Sequence, residues 1–271
     1  MFILSSDNVF KYLSQQNIKD STKQNQSTVE SLAAKNFNLL VTFPDNYKLL
    51  VKQERHNLEG ETAGEFKSEY RIQEWLEQFP KQKSLRPFLP ELLYFDAENS
   101  IIVFRYLDDY RDLMDFYAKE SSFPLEISSA IGTLLATLHR DTYQQENHRQ
   151  SFESEANSQG GNQVPRLIKG LERITPEIFS SVPGDALKFF ALYQRYDSLG
   201  MAIAELGNAF TPACLTHNDL KLNNILLHTD WEQTDESIIR LIDWERNSWG
   251  DPAFDLGTLF ASYIQIWLAS L

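Results

Sequence analysis

Two short polar segments in the last third of the chain carry residue types suited to handling phosphate and a metal ion. In the first, Asp219 is followed five residues later by Asn224, directly before an apolar run at 225–227. In the second, Asp243 follows another apolar run at 238–242, which is typical of a strand. A carboxylate that orients a hydroxyl, followed by two oxygen ligands that hold Mg²⁺ against nucleotide phosphates, is the order used in phosphoryl transfer. Two oxygen ligands suit a hard cation that keeps several waters.

A lysine inside an apolar strand-like run forms a third candidate. Lys52 lies at the end of the run 49–53, and an ammonium in such a strand needs an acidic partner. Glu69, in the helix predicted to follow, is the best match for this partner, and Glu74 is the alternative. Surface lysines on strands are common, but the order and spacing favour a lysine that binds the α- and β-phosphates of a nucleotide.

The surrounding pattern predicts strands first and helices later. The strand-like runs are Val29–Lys35, Phe37–Phe43, Tyr47–Gln53, Glu91–Phe95 and Ser100–Leu107. A helix with one apolar side is predicted over Phe66–Phe79, where Pro80 ends it. After Asp109 the pattern becomes helical, first over Ile127–His139 and then over Ala186–Phe210. We therefore predict an α+β protein with two lobes, residues 1–106 and 107–271.

Composition limits the possible partners. A chain of 271 residues with 42% hydrophobic content can bury a substantial core. The net charge of −13 argues against a nucleic-acid partner and weakly favours a cationic acceptor. A single cysteine, Cys214, excludes an intrachain disulfide and fits a cytoplasmic location, and we predict that it is a buried, inert thiol. We expect no membrane association, because no apolar run could cross a bilayer and Met1–Leu4 lacks the features of a secretory signal.

Three linked motifs resemble those of the aminoglycoside phosphotransferase and choline kinase-like family, whose members are relatives of protein kinases. The motifs are His217–Asn224, Ile242–Glu245 and Gly250–Gly257, and the resemblance extends from about Val29 to the end of the chain. It implies a protein kinase-like fold with a β-rich N-terminal lobe and a mostly helical C-terminal lobe. It also implies ATP and Mg²⁺ as cofactors, with GTP left open as the nucleotide.

The resemblance assigns roles to individual residues. Asp219 corresponds to the catalytic aspartate that accepts a hydrogen bond from the acceptor hydroxyl and can receive its proton. Asn224 and Asp243 correspond to the metal ligands. His217 is interpreted as a structural residue that orients the loop, and Asp255 as a residue that braces the loop backbone from below.

Two positions depart from the commonest family pattern. Lys221 stands where many family members carry histidine and where Ser/Thr protein kinases carry a lysine that contacts the transferred phosphate. This supports an electrostatic role for Lys221 and adds a peptide as an alternative acceptor. The nucleotide loop, 33–38, contains no glycine, a departure that the family tolerates, and we predict that backbone amides from Ala34 to Phe37, including that of Asn36, still approach the phosphates.

The hinge between the lobes is predicted at Val103–Leu107, whose backbone would read the purine, with Tyr106 as a wall of that pocket. The resemblance thus implies transfer of the γ-phosphoryl group of ATP to a hydroxyl of a small molecule such as an amino alcohol or an aminoglycoside, the family's best-known acceptors. Two alternatives remain: a Ser/Thr kinase of a peptide or protein, and a non-catalytic nucleotide-binding pseudokinase. Since the family usually continues with more helices after the position of Asp255, we also expect the chain to be truncated at Leu271.

Overall fold

The computed structural model describes residues 2–19, 26–154, 182–234 and 237–271, together with Leu171 and Pro176. A five-stranded antiparallel sheet forms the first half of the fold, with spatial order β1-β2-β3-β5-β4. Its strands are β1 (Thr28–Leu32), β2 (Phe37–Thr42), β3 (Lys48–Gln53), β4 (Leu92–Asp96) and β5 (Ile101–Arg105). The five predicted strands are therefore confirmed, and β3, which carries Lys52, lies at the centre of the sheet.

The two faces of this sheet are covered by different elements. Helix α1 (Val9–Gln15) packs its apolar side chains, including Val9 and Leu13, against Val41 and Val51 of the sheet. On the other face, Phe66 of helix α2 (Glu65–Gln78) contacts side chains of β5. Because side chains alternate between the two faces of a strand, β3 can give Val51 to one core and Lys52 to the opposite face.

Helix α2 also joins the sheet to the rest of the molecule. Its residues Ile72, Trp75 and Leu76 belong to the large second core, which contains Leu134 and Leu215 from the helical half. The helix therefore begins against the sheet and ends against the helical core. A shift of α2 would have to disturb both cores, so the packing holds the helix at one position between them.

The chain leaves the first sheet after Arg105 and enters a second, three-stranded sheet of order β6-β8-β9. Strand β6 was not predicted, because three residues are too short to produce a recognisable pattern. A two-stranded sheet pairs β7 with β10. The additional strands are β6 (Tyr110–Asp112), β7 (Cys214–Thr216), β8 (Ile225–His228), β9 (Ile239–Leu241) and β10 (Ser248–Gly250).

Helices and short 3₁₀ segments make up most of the second half. Among the described residues, the further α-helices are α3 (Leu113–Glu120), α4 (Leu125–Thr142), α5 (Glu146–Ser154), α6 (Gly184–Tyr193), α7 (Asp197–Ala209) and α8 (Pro252–Ala269). In the same described ranges, the 3₁₀ helices are Pro80–Phe88, Leu222–Asn224 and Trp244–Arg246. The helical region predicted over Ala186–Phe210 is interrupted at 194–196, between α6 and α7.

The architecture is thus α+β, as predicted, with a β-rich first half and a mostly helical second half. Within the described ranges, no helix combines the length and the apolar character needed to cross a membrane.

Candidate active site

Lys52 lies at the centre of a buried ion-pair group. Its Nζ is 2.9 Å from Glu69 Oε2 and 3.0 Å from Asp243 Oδ1. The side chains of Lys52 and Glu69 are almost fully buried, whereas 42% of the Asp243 side chain is exposed. The acidic partner of Lys52 on α2 is therefore Glu69 and not Glu74, and Asp243 presents its free side towards solvent.

The charges of this group depend on one another. Burial by itself would lower the pKa of Lys52, but the adjacent carboxylates of Glu69 and Asp243 hold that pKa above its usual value. Burial raises the pKa of Glu69, and the Lys52 ammonium acts against this rise. The nearby backbone N–H of Trp244 also acts against this rise. One side chain of α2 thus lies between β3 and the segment that follows Asp243.

A second buried glutamate fixes the start of α2. Glu54, directly after β3, accepts hydrogen bonds from the backbone N–H groups of Glu65 (2.9 Å) and Phe66 (3.2 Å) and from Ser100 Oγ (2.6 Å). The residue before the helix, Gly64, has φ of 75° and no side chain that could cap it. Sequence reasoning missed Glu54, because a capping group eleven residues upstream gives no local signal.

Asp243 has an unusual backbone conformation. Its φ of 58° and ψ of 57° fall in the left-handed region, which a non-glycine residue seldom occupies. This conformation turns the chain from β9 into the 3₁₀ helix Trp244–Arg246. It is one way in which a fold holds a functional side chain in a defined direction.

Asp219 and Asn224 are joined by direct hydrogen bonds. Asn224 Nδ2 donates to the backbone oxygen of Asp219 at 2.9 Å and to its Oδ2 at 3.2 Å. The Nζ of Lys221 lies 2.9 Å from the same Oδ2. The other carboxylate oxygen, Oδ1, is 3.8 Å from Arg246 Nη1. Since the amide nitrogen of Asn224 is used for Asp219, its amide oxygen is the atom that can bind a cation.

Backbone contacts bring this loop next to Asp243. The Ile242 N–H donates to the Asn224 carbonyl at 3.0 Å, and His217 Nε2 is 3.0 Å from the Ile242 carbonyl. His217 Nδ1 accepts from the Asp219 N–H at 3.3 Å, so Nε2 carries the proton and the ring is neutral. Complete burial lowers the pKa of His217, which also favours the neutral form.

Asp255 lies beneath the loop with its side chain fully buried. Its Oδ2 accepts from the His217 N–H at 3.0 Å, and its Oδ1 accepts from the Asn218 N–H at 2.8 Å. The same Oδ2 is 3.0 Å from His139 Nε2 on α4. These contacts connect the loop to helices α4 and α8.

We expect Asp255→Ala to lower the free energy of unfolding by about 3 kcal/mol, because two buried backbone N–H groups would lose their acceptor. Thermal unfolding followed by circular dichroism measures the effect. Asp185→Ala is the matched control, since that side chain is 90% exposed and its removal should change stability by less than about 0.5 kcal/mol. Equal unfolding midpoints for the two variants would contradict the bracing role of Asp255.

Two asparagines that sequence reasoning missed hold the segments together. Asn218 has φ of 62°, and its Nδ2 donates to the Arg246 carbonyl at 2.9 Å and to Ser248 Oγ at 2.8 Å. Asn247 Nδ2 donates to the Ser68 carbonyl on α2 at 2.8 Å. Position 250, in the strand paired with β7, also requires a glycine, because a Cβ there would lie 2.4 Å from Thr216 Oγ1.

Glu245 and Arg246 were also not assigned from sequence. Arg246 lies between Glu245 (4.0 Å) and Asp219, with 59% of its side chain exposed. Burial raises the pKa of Glu245, and the nearby carboxylates of Glu65 and Asp243 raise it further. The signal in the sequence was their position two and three residues after Asp243.

The nucleotide loop and the hinge lie at the edges of the same region. Ala34 is exposed at the turn between β1 and β2, and Asn36 contacts Glu65 Oε2 (3.4 Å) and the Arg55 N–H (3.4 Å). At the hinge, the Tyr106 N–H donates to the Lys48 carbonyl at 3.1 Å. This N–H is therefore already used in a hydrogen bond to β3, so Tyr106 would contact a purine through its ring or its carbonyl.

The donor set fits Mg²⁺. In the described part of the chain, no three His, Cys, Asp or Glu side chains are grouped as a metal site. One carboxylate and one amide oxygen suit a hard cation that takes its remaining ligands from phosphate and water. Cys214 is fully buried and its burial raises the pKa of the thiol to about 12, so it is not suited to act as a nucleophile.

Comparison with solved structures supports a kinase-like fold. The choline kinase LicA from Streptococcus pneumoniae is 20% identical, with 95% of this chain and 74% of that chain covered and a TM-score of 0.54. An ethanolamine kinase from Plasmodium vivax is 15% identical, with 93% and 66% covered and a TM-score of 0.59. The streptomycin–ATP–APH(2")-IIa ternary complex is 16% identical, with 94% and 75% covered and a TM-score of 0.51. At these identities the likeness concerns the fold alone.

The fold is that of kinase-like phosphotransferases. A family description, the phosphotransferase enzyme family, matches residues 34–271. The chain belongs to this family, which confirms the resemblance seen in the sequence motifs. A direct comparison with curated proteins gives no match.

Proposed function

We propose that the protein transfers the γ-phosphoryl group of ATP to a hydroxyl group of a small molecule, with Mg²⁺ as the metal. The observation that carries this proposal is the continuous set of contacts from Lys52 through Asp243 to the loop of Asp219 and Asn224. Such a set provides charge and positioning, which are the main requirements of phosphoryl transfer.

In the proposed reaction, Asp219 accepts a hydrogen bond from the acceptor hydroxyl and receives its proton as the new P–O bond forms. Lys52 holds the α- and β-phosphates. Lys221, 44% exposed and already beside Asp219, contacts the transferred group. Mg²⁺ held by Asn224 and Asp243 would offset the negative charge that develops on the phosphates. The bond between the γ-phosphorus and the bridging oxygen breaks, and ADP leaves.

The acceptor class is supported by family membership and by the charge of the chain. The three structures named above are kinases of choline or ethanolamine, or a phosphotransferase solved with streptomycin and ATP. A net charge of −13 favours a cationic amino alcohol or aminoglycoside at long range. A peptide acceptor has no comparable support among these structures. A non-catalytic role is disfavoured because every charged group that the reaction needs is present.

The proposal is tested by incubating the purified chain with ATP and Mg²⁺ and each acceptor separately, with products identified by mass spectrometry. The acceptors are choline, ethanolamine, streptomycin and a serine-containing peptide, and the Asp219→Asn variant is the control. A gain of one phosphate on a small acceptor, absent with the control, is the expected result. Phosphorylation of the peptide alone would show that the acceptor is a peptide and not a small molecule. ATP binding without any transfer or hydrolysis would reject catalysis.

A further inference from the structure

The turn between β1 and β2 presents a lysine where a glycine-rich loop would present backbone amides. Residues 33–36 contain no glycine, so each carries a Cβ that limits how closely its backbone can approach a phosphate. Lys35 lies at this turn with 64% of its side chain exposed. A side-chain ammonium can reach a phosphate oxygen without a close approach of the backbone.

Lys35 is held by the helix that also holds Lys52. Its Nζ forms an ion pair with Glu65 in the first turn of α2, while Lys52 pairs with Glu69. Glu65 and Glu69 are four residues apart, which puts their Cβ atoms about 5–6 Å from each other on one side of the helix. The carboxylates that pair with the two lysines therefore belong to neighbouring side chains of α2, one helical turn apart.

The sheet register supports the same placement. Asn38 of β2 lies opposite Lys52 of β3, so the turn that carries Lys35 projects just beyond Lys52. Glu245 lies close enough to sense the charges of Lys35, Lys52 and Glu65. Lys35 thus belongs to the same group of charges as the candidate phosphate and metal ligands.

The acidic side chains at this edge of the site create a need for positive charge, which Lys35 can supply. Glu65, Asp243 and Glu245 are acidic, and a nucleotide triphosphate is also strongly negative. The polyphosphate would be repelled unless nearby cations offset these charges. Among the described residues, Glu65 is the ion-pair partner of Lys35, and the Glu65 side chain is itself 20% exposed, so a phosphate oxygen can take its place.

We propose that Lys35 is a second phosphate-binding lysine, which exchanges the Glu65 carboxylate for the β- or γ-phosphate of a bound nucleoside triphosphate. This inference rests on the proposed function, because it requires ATP in this cleft. Lys35 replaces, with one side chain, the phosphate contacts that backbone amides of a glycine-rich loop would make.

Isothermal titration of ATP, ADP and AMP, each with Mg²⁺, tests the inference without measuring turnover. Lys35→Met should weaken ATP binding about tenfold, the range of a charge-assisted hydrogen bond at a partly exposed site, and change AMP binding less than twofold. Lys35→Arg should keep most of the affinity. Lys11→Met is the matched control, because it removes an exposed lysine from α1 on the opposite face of the sheet.

Glu65→Gln separates phosphate binding from a purely structural ion pair. If Lys35 binds phosphate, removing the competing carboxylate should leave ATP affinity unchanged or increase it. A loss equal to that of Lys35→Met would overturn the inference, since the pair itself would then matter. Unchanged ATP affinity in Lys35→Met would also overturn it while leaving the proposed function intact. Failure of the unsubstituted chain to bind ATP would instead count against the proposed function.

Discussion

Asp219→Asn is expected to lower the rate of phosphoryl transfer by about 10²- to 10⁴-fold, the usual contribution of a positioned general base. The substitution preserves size and can still accept from Asn224 Nδ2, but it removes the negative charge that orients the hydroxyl and receives its proton. Its effect on the affinity for ATP should be small, because the proposed phosphate contacts come from lysines. Single-turnover kinetics and nucleotide titration measure the two quantities separately.

The matched control for Asp219 is Asp185→Asn, which removes one carboxylate from a side chain that is 90% exposed. Both variants lose one negative charge, so a general electrostatic effect would appear in both. A transfer rate that stays within threefold in Asp219→Asn would show that this carboxylate is not the catalytic base. A large loss of ATP affinity in Asp219→Asn would show that Asp219 acts on the nucleotide and not on the acceptor hydroxyl.

Lys52→Met should damage both stability and activity. Removing the ammonium leaves Glu69 buried without its cation, which costs about 3 kcal/mol when one partner of a buried pair is lost. Methionine keeps the apolar stem near the ring of Phe66, over which the Lys52 Nζ lies at 5.0 Å. The loss should therefore come from charge and not from packing. Chemical denaturation and ATP titration measure the two effects.

The double variant Lys52→Met/Glu69→Gln separates these effects. A neutral amide at position 69 removes the unpaired buried charge, so we expect it to recover part of the lost stability. Activity should stay as low as in the single variant, because the phosphates still lack the ammonium. Full recovery of transfer in the double variant would mean that Lys52 acts only through Glu69. Unchanged ATP affinity in Lys52→Met would contradict the proposed phosphate contact.

Local patterns predicted most of the elements. Strand β3 and helix α2 have clear periodicity, so the positions of Lys52 and Glu69 on them followed from the sequence. The short strand β6 and the break between α6 and α7 did not, because their patterns are too short or too similar to those of their surroundings. The lobe boundary near residue 106 remains a prediction, and the residue roles are predictions that the experiments above address.

The contacts between distant segments could not be predicted in the same way. Glu54 caps α2, Asn247 bonds to Ser68, and Lys35 pairs with Glu65, yet none of these pairs follows a repeating spacing. Single polar residues in loops have many possible partners, and only the packed chain selects one. The glycine-free loop is the clearest case, since its sequence indicated what was missing but not that a lysine lies beside α2.

The order of residue types along the chain determined which chemistry is available, because carboxylates, an amide and a lysine carry the same functional groups in any fold. The tertiary structure decided their distances. Helix α2 packs against both the sheet and the helical core, and this shared packing brings Lys52 of β3 to Asp243 after β9, 3.0 Å apart. Such proximity depends on burying apolar surface from both halves at once, which no local pattern encodes.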